Sequence, residues 1–544
     1  MCEIIWNMAN NRKYPVGVQS FEKLRKEGYL YMDKTPLIYK LITEGCPFFL
    51  SRPRRFGKSL LLSTLAAVFE GKRELFEAFT TDDGIEQPQL FIAQTNWRWE
   101  KYPVIRFDFS KCREYTLEGL DEVVDATLSR YEEEYGLSPK GSSNLRFENI
   151  ILAAHQKTGK RVVILVDEYD TVMLHNLGEP AKERTVRERF SGLFTLVKAL
   201  DDHLQFVFIT GISKFSQMGI FSRLNNLQNI SMQPAFDTLC GISEEELITQ
   251  MRPDIEMMGK VNGMSYEEQL AGLKRMYDGY HFSEKQTDIY NPFSLFNAFS
   301  SQKLGNYWFD RGTSSALIDM LAQMPPVDIN ELERIRVPDT AFDLPLESFD
   351  DPLPILYQSG YLTIKGHRRY GEVDMYTLDF PNDEVRRGFA ECLFKHVAGK
   401  QVNTWQTSAL QMAYYNFMES AELAPFIEAV KTFYASLPYQ WEKDNRNEHF
   451  YHALLYTLLT SFGADVIAEE STVKGRSDIV LRMPKGIYVI EIKYNHTADE
   501  ALAQIDECGY SDKYCTDGRP VTKVGIAFSS VERNITEWKV EQFT

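Results

Sequence analysis

The sequence predicts an α/β protein with a parallel sheet core, a helical and winged-helix-like middle region, and a separate C-terminal α/β domain. Three observations support this prediction. Short apolar runs alternate with helix-like segments over the first 210 residues, which is typical of a parallel sheet. A phosphate-loop-like segment joins the first of these runs to a helix. From Glu448 onward the pattern changes to helix, three strands, helix and strand.

The composition excludes several classes of protein. Hydrophobic residues make up 44% of the 544 residues, enough for the apolar cores of about three or four domains. No apolar run approaches the ~20 residues of a membrane-spanning helix, and the N-terminus lacks a secretory apolar segment. The 7 cysteines form no CxxC pair, which argues against disulfides and a thiolate zinc site. We therefore expect a cytoplasmic protein without a membrane partner.

The charge balance limits how this chain can bind nucleic acid. Its 77 acidic and 60 basic residues give a net charge of −17. Because an acidic chain repels a phosphate backbone, binding of DNA or RNA requires a local basic surface. Acidic side chains also hold Mg²⁺, so the charge by itself does not decide the partner. Formation of a homo-oligomer is left open by the sequence.

Four apolar runs and a fifth candidate form the predicted sheet. Three of the four are uninterrupted, which suits strands that are buried on both faces. Val104–Phe109 is interrupted by Arg106 and Asp108, so this strand is expected nearer an edge. The predicted strands are Pro47–Leu50, Val104–Phe109, Val162–Val166, Phe206–Thr210 and Asn229–Met232, and helices between them are predicted at Ser59–Phe69, Leu117–Tyr135 and Arg187–Leu200.

After Gln233 the sheet pattern ends and helices are predicted, for example over Tyr266–Tyr277. Proline and acidic residues are dense in residues 325–354, which indicates an extended linker. Beyond it, the helix end Ile355–Tyr361 precedes a strand–turn–strand segment, the order found in a winged-helix module. The predicted domains are the sheet core at residues 1–233, a helical lid at 234–330, a linker and winged-helix-like module at 331–395, and the C-terminal domain at 396–544.

A phosphate-loop pattern lies between the first strand and the first helix of the core. The pattern is glycine, four residues, then Gly-Lys-Ser/Thr, and Arg52 occupies the first glycine position. Free amides at the helix N-terminus bind phosphate, Lys58 can reach the outer phosphates, and Ser59 can ligate Mg²⁺. A simple helix cap is the alternative. The predicted ATP contacts in this segment are Arg54, Arg55, Phe56, Gly57, Lys58, Ser59 and Leu60.

Two later strands supply further candidates for the same site. The strand at Val162–Val166 is followed by Asp167, expected to hold Mg²⁺, and Glu168, expected to polarise the attacking water. Solvated acids at a strand end are the alternative. The next strand delivers Thr210 to the carboxyl edge of the sheet, where it can contact the terminal phosphate or simply cap the strand. Lys214 can add charge there, and Arg54, Arg55 and Arg223 are either phosphate contacts or solvated surface arginines.

A hairpin near the C-terminus carries a second set of candidates. Asp478 begins one strand, while Glu491 and Lys493 lie two residues apart on the next and therefore share a face. Two carboxylates and the Ile492 carbonyl suit a Mg²⁺ ion that keeps several waters, and Lys493 can act on a metal-bound water. Glu448 on the preceding helix can complete the acidic set. A hairpin of the same fold without catalytic activity is the alternative.

Several motifs extend over nearly the whole chain. They are Tyr14-Pro-Val-Gly, Tyr31-Met-Asp-Lys34, Ser51–Ser59, Tyr102-Pro-Val-Ile, Val166–Asp170, Thr210–Ser216, Leu224-Asn-Asn, Tyr277-Asp-Gly-Tyr-His-Phe282, Tyr290-Asn-Pro-Phe-Ser294 and Asn306-Tyr-Trp308. Together they resemble the bacterial AAA-ATPase-like family, P-loop ATPases that are usually followed by a PD-(D/E)XK nuclease-like domain. In that family the first loop glycine is commonly replaced, as it is here by Arg52.

The resemblance implies a P-loop NTPase core of the ASCE/AAA-like type, ATP and Mg²⁺ as cofactors, and a restriction-endonuclease-like C-terminal domain. Two functions are compatible with this resemblance. One is an ATP-regulated nuclease acting on DNA or RNA, which the intact Asp-Glu-Lys set favours. The other is a STAND-like signalling or assembly switch whose nuclease-like domain only binds a partner, which the net charge of −17 favours. The PD-(D/E)XK pattern implies roles for Glu448, Asp478, Glu491, Lys493 and Gln504.

Overall fold

The computed structural model describes most of the chain. It divides into two compact units, which we call the N-terminal unit (residues 1–324 and 334–384) and the C-terminal unit (residues 325–333 and 385–544). The finer division at residues 233, 330 and 395 stays a prediction. The residues described are 12–45, 47–112, 115–176, 179–213, 226–308, 332–343, 352–398, 404–436, 448–471 and 476–543.

The N-terminal unit is built on a five-stranded parallel sheet with strand order β4-β5-β6-β1-β7. The edge position of β4 is confirmed, and the fifth strand overlaps the predicted one at Asn229. A two-stranded ladder of β2 and β3 lies outside this sheet. The strands are β1 (Phe48–Ser51), β2 (Phe79–Thr80), β3 (Glu86–Gln87), β4 (Val104–Asp108), β5 (Val162–Asp167), β6 (Leu204–Gly211) and β7 (Gln228–Asn229).

Helices connect these strands, as an all-parallel sheet requires. The helix predicted at Leu117–Tyr135 is confirmed at both ends. It begins where the Thr116 side chain accepts from the Gly119 amide and ends at Gly136, which has φ 72°. The helices are α1 (Phe21–Lys26), α2 (Thr35–Glu44), α3 (Lys58–Phe69), α4 (Leu117–Tyr135), α5 (Ser143–Thr158), α6 (Thr171–His175) and α7 (Pro180–Ala199).

The segment after the sheet is helical, as the sequence predicts. Capping boxes start two of its helices, where Ser243 pairs with Glu246 and Ser265 pairs with Glu268. The apolar faces of these helices pack together into one core that includes Met251. The elements are β8 (Ile242–Ser243), α8 (Glu244–Asn262), α9 (Tyr266–Tyr277), β9 (Ile289–Tyr290) and α10 (Pro292–Ser301).

A helix followed by a hairpin completes the N-terminal unit in the order predicted for a wing. The three strands are antiparallel in the order β10-β12-β11. Part of the predicted linker is therefore a strand, β10. Gly360 has φ 87°, and a Cβ there would lie 2.5 Å from Pro53 Cβ, so this module packs directly on the phosphate loop. The elements are β10 (Ile335–Pro338), α11 (Leu353–Ser359), β11 (Thr363–Tyr370) and β12 (Val373–Asp379).

The C-terminal unit contains a five-stranded mixed sheet with order β13-β14-β15-β16-β17. Only β15 and β16 pair in parallel, and α16 makes the crossover between them. The elements are α12 (Asp383–Ala398), α13 (Thr404–Ser420), α14 (Leu423–Ala435), α15 (Glu448–Ser461), β13 (Asp465–Ser471), β14 (Arg476–Met483), β15 (Gly486–Tyr494), α16 (Ala498–Cys508), β16 (Val521–Ser529) and β17 (Asn534–Gln542).

Two further features concern the described ranges as a whole. None of the helices in the described ranges combines the length and the apolar character needed to cross a membrane. The cysteines in the same ranges are free thiols: Cys112, Cys240, Cys392, Cys508 and Cys515.

Candidate active sites

The phosphate loop connects β1 to α3 through two left-handed residues. Gly57 precedes the first helical residue with φ 92°, and Arg55 has φ 70°. The first amides of a helix have no acceptor within the helix, so those at the start of α3 are available to an anion. The described geometry thus retains the anion-binding end of a phosphate loop.

Arg52 has a structural role that the sequence did not indicate. Its side chain is 1% exposed, and its guanidinium donates to the carbonyl oxygens of Ser51 (2.9 Å), Ser231 (2.7 Å) and Phe236 (3.2 Å). The guanidinium carbon also lies 4.0 Å from the centroid of the Phe282 ring. Where the usual pattern has a flexible glycine, this loop is therefore anchored by a buried cation.

Lys58 points into the loop. Its side chain is 3% exposed, and Nζ donates to the carbonyl oxygens of Arg52 (3.0 Å) and Pro53 (3.2 Å). The same Nζ lies 3.5 Å from Glu168 Oε1. The ammonium group therefore connects the loop to the end of β5, where the terminal phosphate of a nucleotide would meet it.

Asp167 is buried at the end of β5 beside Ser59. A hydrogen bond from the Ser59 hydroxyl lowers its pKa, but burial and then the charge of Glu168 outweigh this and raise the pKa to about 6. Its Oδ1 atom has no hydrogen-bond partner among the described residues. A buried carboxylate oxygen without a donor, next to a hydroxyl, fits a Mg²⁺ ion, because a cation would supply the missing partner.

Glu168 and Thr210 lie at the same edge of the sheet. Glu168 has φ 51°, a left-handed conformation that is rare for a residue with a side chain. Thr210 is opposite Leu50 in the β1–β6 register, and its Oγ1 atom is buried without a described hydrogen-bond partner. Both side chains are thus placed at the carboxyl ends of the strands. Lys214 and Arg223 lie outside the described residues.

Asp170 is a further residue of this edge that the sequence analysis did not single out. One carboxylate oxygen, Oδ2, accepts from the amides of Ile212 (2.9 Å) and Ser213 (2.6 Å) and from the Ser213 hydroxyl (2.6 Å). Burial raises its pKa to about 6. Asp170 therefore holds the end of β6 against β5, and its position in the Asp-Glu-x-Asp string was the available signal.

The remaining loop candidates differ in where their side chains go. Phe56 is 1% exposed and packs edge-on against Tyr280 and Phe282, so only its backbone can face a phosphate. The Arg55 guanidinium carbon lies 4.0 Å from the centroid of the Phe293 ring. The carbonyl oxygen of Arg54 accepts from the Trp308 indole at 3.3 Å. Several of these aromatic rings come from the motifs after residue 276, which therefore serve as support for the loop.

A small apolar cavity of about 70 Å³ adjoins the start of α3. Leu60 and Leu61 form the side nearest the loop, and Lys34 lies at its polar part, where Nζ donates to both carboxylate oxygens of Glu246 at 2.6 and 2.7 Å. The sequence analysis predicted a contact from Leu60 but not the cavity. Its other apolar walls include Pro15, Leu30, Met32, Leu239 and Phe296.

In the C-terminal unit, the hairpin of β14 and β15 brings Asp478 and Glu491 together. The register pairs Ile479 with Ile490, which places the two acids opposite each other. The amide of Asp478 donates to Glu491 Oε2 at 3.4 Å, and Asp478 Oδ2 accepts from the Ile492 amide at 2.7 Å. Two carboxylates that are 13 residues apart in sequence are therefore in one small site.

The buried position of Glu491 has a clear electrostatic consequence. Its side chain is 0% exposed. Burial, and then the nearby charge of Asp478, raise its pKa to about 8, although Lys493 acts in the opposite direction. The carboxylate form is thus unfavourable at neutral pH unless a cation is close. Lys493 Nζ, 3.3 Å from Glu491 Oε1, provides part of that compensation.

Other residues surround this acidic pair. The Nε2 atom of His452 hydrogen-bonds to the Asp478 carbonyl oxygen at 2.7 Å, which was not expected from the sequence. Gln504 donates to the Tyr510 hydroxyl at 3.4 Å. Burial, then a hydrogen bond with Cys508 and the charge of Glu491, raise the pKa of Tyr510 to about 12, so this hydroxyl belongs to the same environment as Glu491. The Glu448 side chain lies outside the described part of the chain.

The residues of this second site fit a Mg²⁺ ion whose remaining coordination positions are filled by water and by the substrate. Within the described residues, no three His, Cys, Asp or Glu side chains come together as a complete metal site. Asp478 and Glu491 supply two carboxylates, and the Ile492 amide faces Asp478, so its carbonyl oxygen is on the same side of the strand. Mg²⁺ is commonly held by one or two carboxylates, with waters and substrate phosphates completing the octahedron.

Comparison with known proteins identifies a family for each part of the chain that contains a candidate site. Residues 15–221 match the family model of a predicted AAA-ATPase, and residues 446–538 match that of the PD-(D/E)XK nuclease superfamily. Over 544 residues the chain is 32% identical to an "Uncharacterized protein in vnfD 5'region" of Azotobacter chroococcum mcd 1, with 98% of this chain and 99% of that protein covered.

The chain belongs to the AAA-ATPase-like family. This AAA-ATPase-like protein carries its PD-(D/E)XK nuclease superfamily domain at the C-terminus, and the family resemblance seen in the motifs is confirmed. The matched ranges contain both sites described above. The first ends after β6, and the second contains α15 through most of β17.

Proposed function

We propose that this AAA-ATPase-like protein binds and hydrolyses ATP with Mg²⁺ in its N-terminal unit. We further propose that its C-terminal unit is a Mg²⁺-dependent nuclease acting on DNA or RNA. The observation that supports the nuclease most directly is the pair Asp478 and Glu491. Placing two acids side by side with one fully buried is electrostatically unfavourable, and a divalent cation removes that cost.

In the ATP site, each residue has a physical reason for its proposed role. The α3 amides and Lys58 would bind the phosphates, and Ser59 and Asp167 would hold the Mg²⁺ ion. Glu168, 3.5 Å from the Lys58 ammonium, orients the attacking water and accepts its proton. Thr210 supplies to the terminal phosphate a hydroxyl for which the described residues offer no hydrogen-bond partner.

In the nuclease site, Mg²⁺ would supply a Lewis acid and a water of lowered pKa. Asp478, Glu491 and the Ile492 carbonyl oxygen would hold this ion. Lys493 has ammonium hydrogens that can donate both to the attacking water and to a phosphoryl oxygen, which stabilises the extra charge of the transition state. His452 fixes the backbone of Asp478 and so acts as a positioning residue. The water oxygen forms a bond to phosphorus as the bond from phosphorus to the 3′ or 5′ oxygen breaks; the proton of the attacking water passes to solvent, and the departing oxygen takes a proton from solvent water.

The second candidate function, an ATP-driven switch, also has an observation in its favour. Lys493 already pairs with Glu491 at 3.3 Å, as it would in a domain that keeps the fold without catalysis. Such a pair stabilises the hairpin without needing a metal. The two functions differ in one measurable result, which is cleavage.

The test uses purified full-length protein with labelled single- and double-stranded DNA and RNA, in Mg²⁺ or EDTA, with and without ATP. We expect Mg²⁺-dependent cleavage by wild type, none by Asp478→Asn, and unchanged ATP hydrolysis in that variant. Asp465→Asn is the matched control, because Asp465 is an exposed acid on the neighbouring strand β13. If wild type hydrolyses ATP but cuts none of the substrates, the switch is the correct function.

A further inference from the structure

We propose that an open groove along the outer edge of β4 binds a single strand of nucleic acid. Its volume is about 1,210 Å³, and it is bordered by β4, α4 and the residues that follow α3. This inference rests on the proposed function for the class of ligand, but it assigns binding to a surface of the N-terminal unit. We call this surface the β4 groove. Its lining residues lie between Glu70 and Thr158.

The charge of the β4 groove differs from that of the whole chain. Six basic and four acidic side chains line it, in a protein of net charge −17. Two of the basic side chains already form ion pairs within the groove. Lys72 pairs with Glu70 at 2.8 Å, and Lys111 pairs with Asp108 at 3.5 Å. The groove is therefore a local basic surface of the kind an acidic protein needs in order to meet phosphates. The basic side chains are Lys72, Lys101, Arg106, Lys111, Arg130 and Lys157, and the acidic ones are Glu70, Glu74, Asp108 and Glu134.

Three of the cations are available to a ligand. Lys101, Arg106 and Arg130 form no ion pair with any residue in the described ranges. Lys101 and Arg130 are exposed, whereas Arg106 is half-buried at the centre of β4. A phosphate that contacts them would release counterions without first having to break a salt bridge within the protein. These three residues are the expected phosphate contacts.

Aromatic rings lie among the basic side chains. Tyr102 and Tyr135 are half-buried and line the groove, and Lys157 Nζ is 5.5 Å from the centroid of the Tyr135 ring. The Arg130 guanidinium carbon is 4.5 Å from the centroid of the Tyr131 ring. Half-exposed rings beside cations suit a single strand, because unpaired bases can stack on the exposed part of a ring while the cations follow the backbone. A duplex, whose bases are already stacked, would not use them.

The edge of the sheet itself is not open to another β-strand. At the centre of β4, the outward amide of Arg106 donates to the Tyr131 hydroxyl at 2.8 Å. Strand addition needs a row of unpaired backbone groups, and this bond occupies the central one. Tyr131 is buried and belongs to α4, so its hydroxyl group is held in place over the edge of β4. Recognition in the groove must therefore come from side chains, which favours a charged polymer over an extended peptide.

The test measures binding rather than cleavage. Fluorescein-labelled 20-nucleotide oligo(dT) and oligo(U) are titrated with full-length protein carrying Asp478→Asn, in Mg²⁺ and ATP, by fluorescence anisotropy at several salt concentrations. The groove variant adds Lys101→Glu and Arg130→Glu, both at exposed positions. The matched control instead adds Lys260→Glu and Lys285→Glu, two exposed lysines outside the groove.

We expect the groove variant to bind at least about tenfold more weakly, while the control binds like its parent. Loss of two phosphate contacts should also reduce the slope of log K against log salt by about 1.4. Arg106→Gln should reduce it by about half as much. ATP binding, measured in parallel, confirms that each variant is folded.

The outcomes separate this inference from the proposed function. If the groove variant and the control bind equally well, and wild type still cleaves, the groove assignment is wrong and the nuclease remains. If the parent protein binds neither oligonucleotide, the groove assignment is wrong, and the cleavage assay with single- and double-stranded substrates decides the nuclease proposal separately. If labelled polyglutamate binds the parent protein more tightly than either oligonucleotide, and the two groove substitutions abolish that binding, the partner is an acidic protein and the inference is overturned.

Discussion

Replacing Glu491 by glutamine should stabilise the C-terminal unit at high pH in the absence of divalent cations. Burial and the charge of Asp478 raise the pKa of Glu491 from 4.5 to about 8. Between these two values the folded protein retains a proton that the unfolded chain has lost. The free energy of unfolding therefore falls as pH rises through this window and stays low above it. Glutamine has no ionisable group and avoids this loss.

The magnitude follows from the pKa difference. At 1.36 kcal/mol per pKa unit, a rise from 4.5 to about 8 corresponds to about 5 kcal/mol of lost stability above pH 8. The pKa of about 8 already reflects the attraction of the Lys493 ammonium, which glutamine and the neutral carboxyl group lose alike. The gain expected for Glu491→Gln at pH 9 is therefore about 5 kcal/mol at most. At pH 5.5, about one unit above the unfolded-state pKa, the expected gain is only about 1 kcal/mol.

The free energy of unfolding of the region around β15 can be measured in the full-length protein. Hydrogen exchange of peptides from β15 is followed by mass spectrometry over a urea series. The experiment is done in EDTA at pH 5.5 and pH 9.0, with correction for intrinsic exchange rates. Addition of Mg²⁺ at pH 9.0 should stabilise wild type and have little effect on the variant. The reasoning is refuted if Glu491→Gln is less stable than wild type at pH 9.0, or if wild type loses no more stability than the variant between the two pH values.

Four other substitutions test separate parts of the structure. Lys58→Ala should abolish ATP binding in titration calorimetry, while Glu168→Gln should bind normally but turn over about 100-fold or more slowly; normal binding by Lys58→Ala would contradict the phosphate-loop assignment. Arg52→Gly restores the usual loop glycine but removes the buried guanidinium, so urea denaturation should show a loss of about 3 kcal/mol, and an unchanged midpoint would show that its hydrogen bonds contribute nothing. Gly525→Ala would place a methyl group against the Ala498 carbonyl oxygen and should destabilise the packing of α16 on the sheet, seen as faster exchange in α16 peptides.

Much of the proposed ATP site could be predicted from the sequence, because its parts are local. A glycine before a helix, a lysine and a hydroxyl in its first turn, and an acid after a buried strand are each defined by neighbouring residues. Parallel pairing then brings the strand ends to one edge, as the β1–β6 register of Leu50 with Thr210 shows. The role of Arg52 could not be predicted, because one of its acceptors, Phe236, is 184 residues away.

For the C-terminal pair, the sequence by itself determined the hairpin and the shared face of Glu491 and Lys493, since strand periodicity and a short turn fix both. Only the tertiary structure decided how strongly Glu491 is buried, and that Tyr510 and His452 adjoin the site, because α15 and α16 pack over the sheet through contacts distant in sequence. The β4 groove is likewise a product of packing. Charge and pKa depend on the whole surroundings of a group, whereas a motif specifies only its neighbours along the chain.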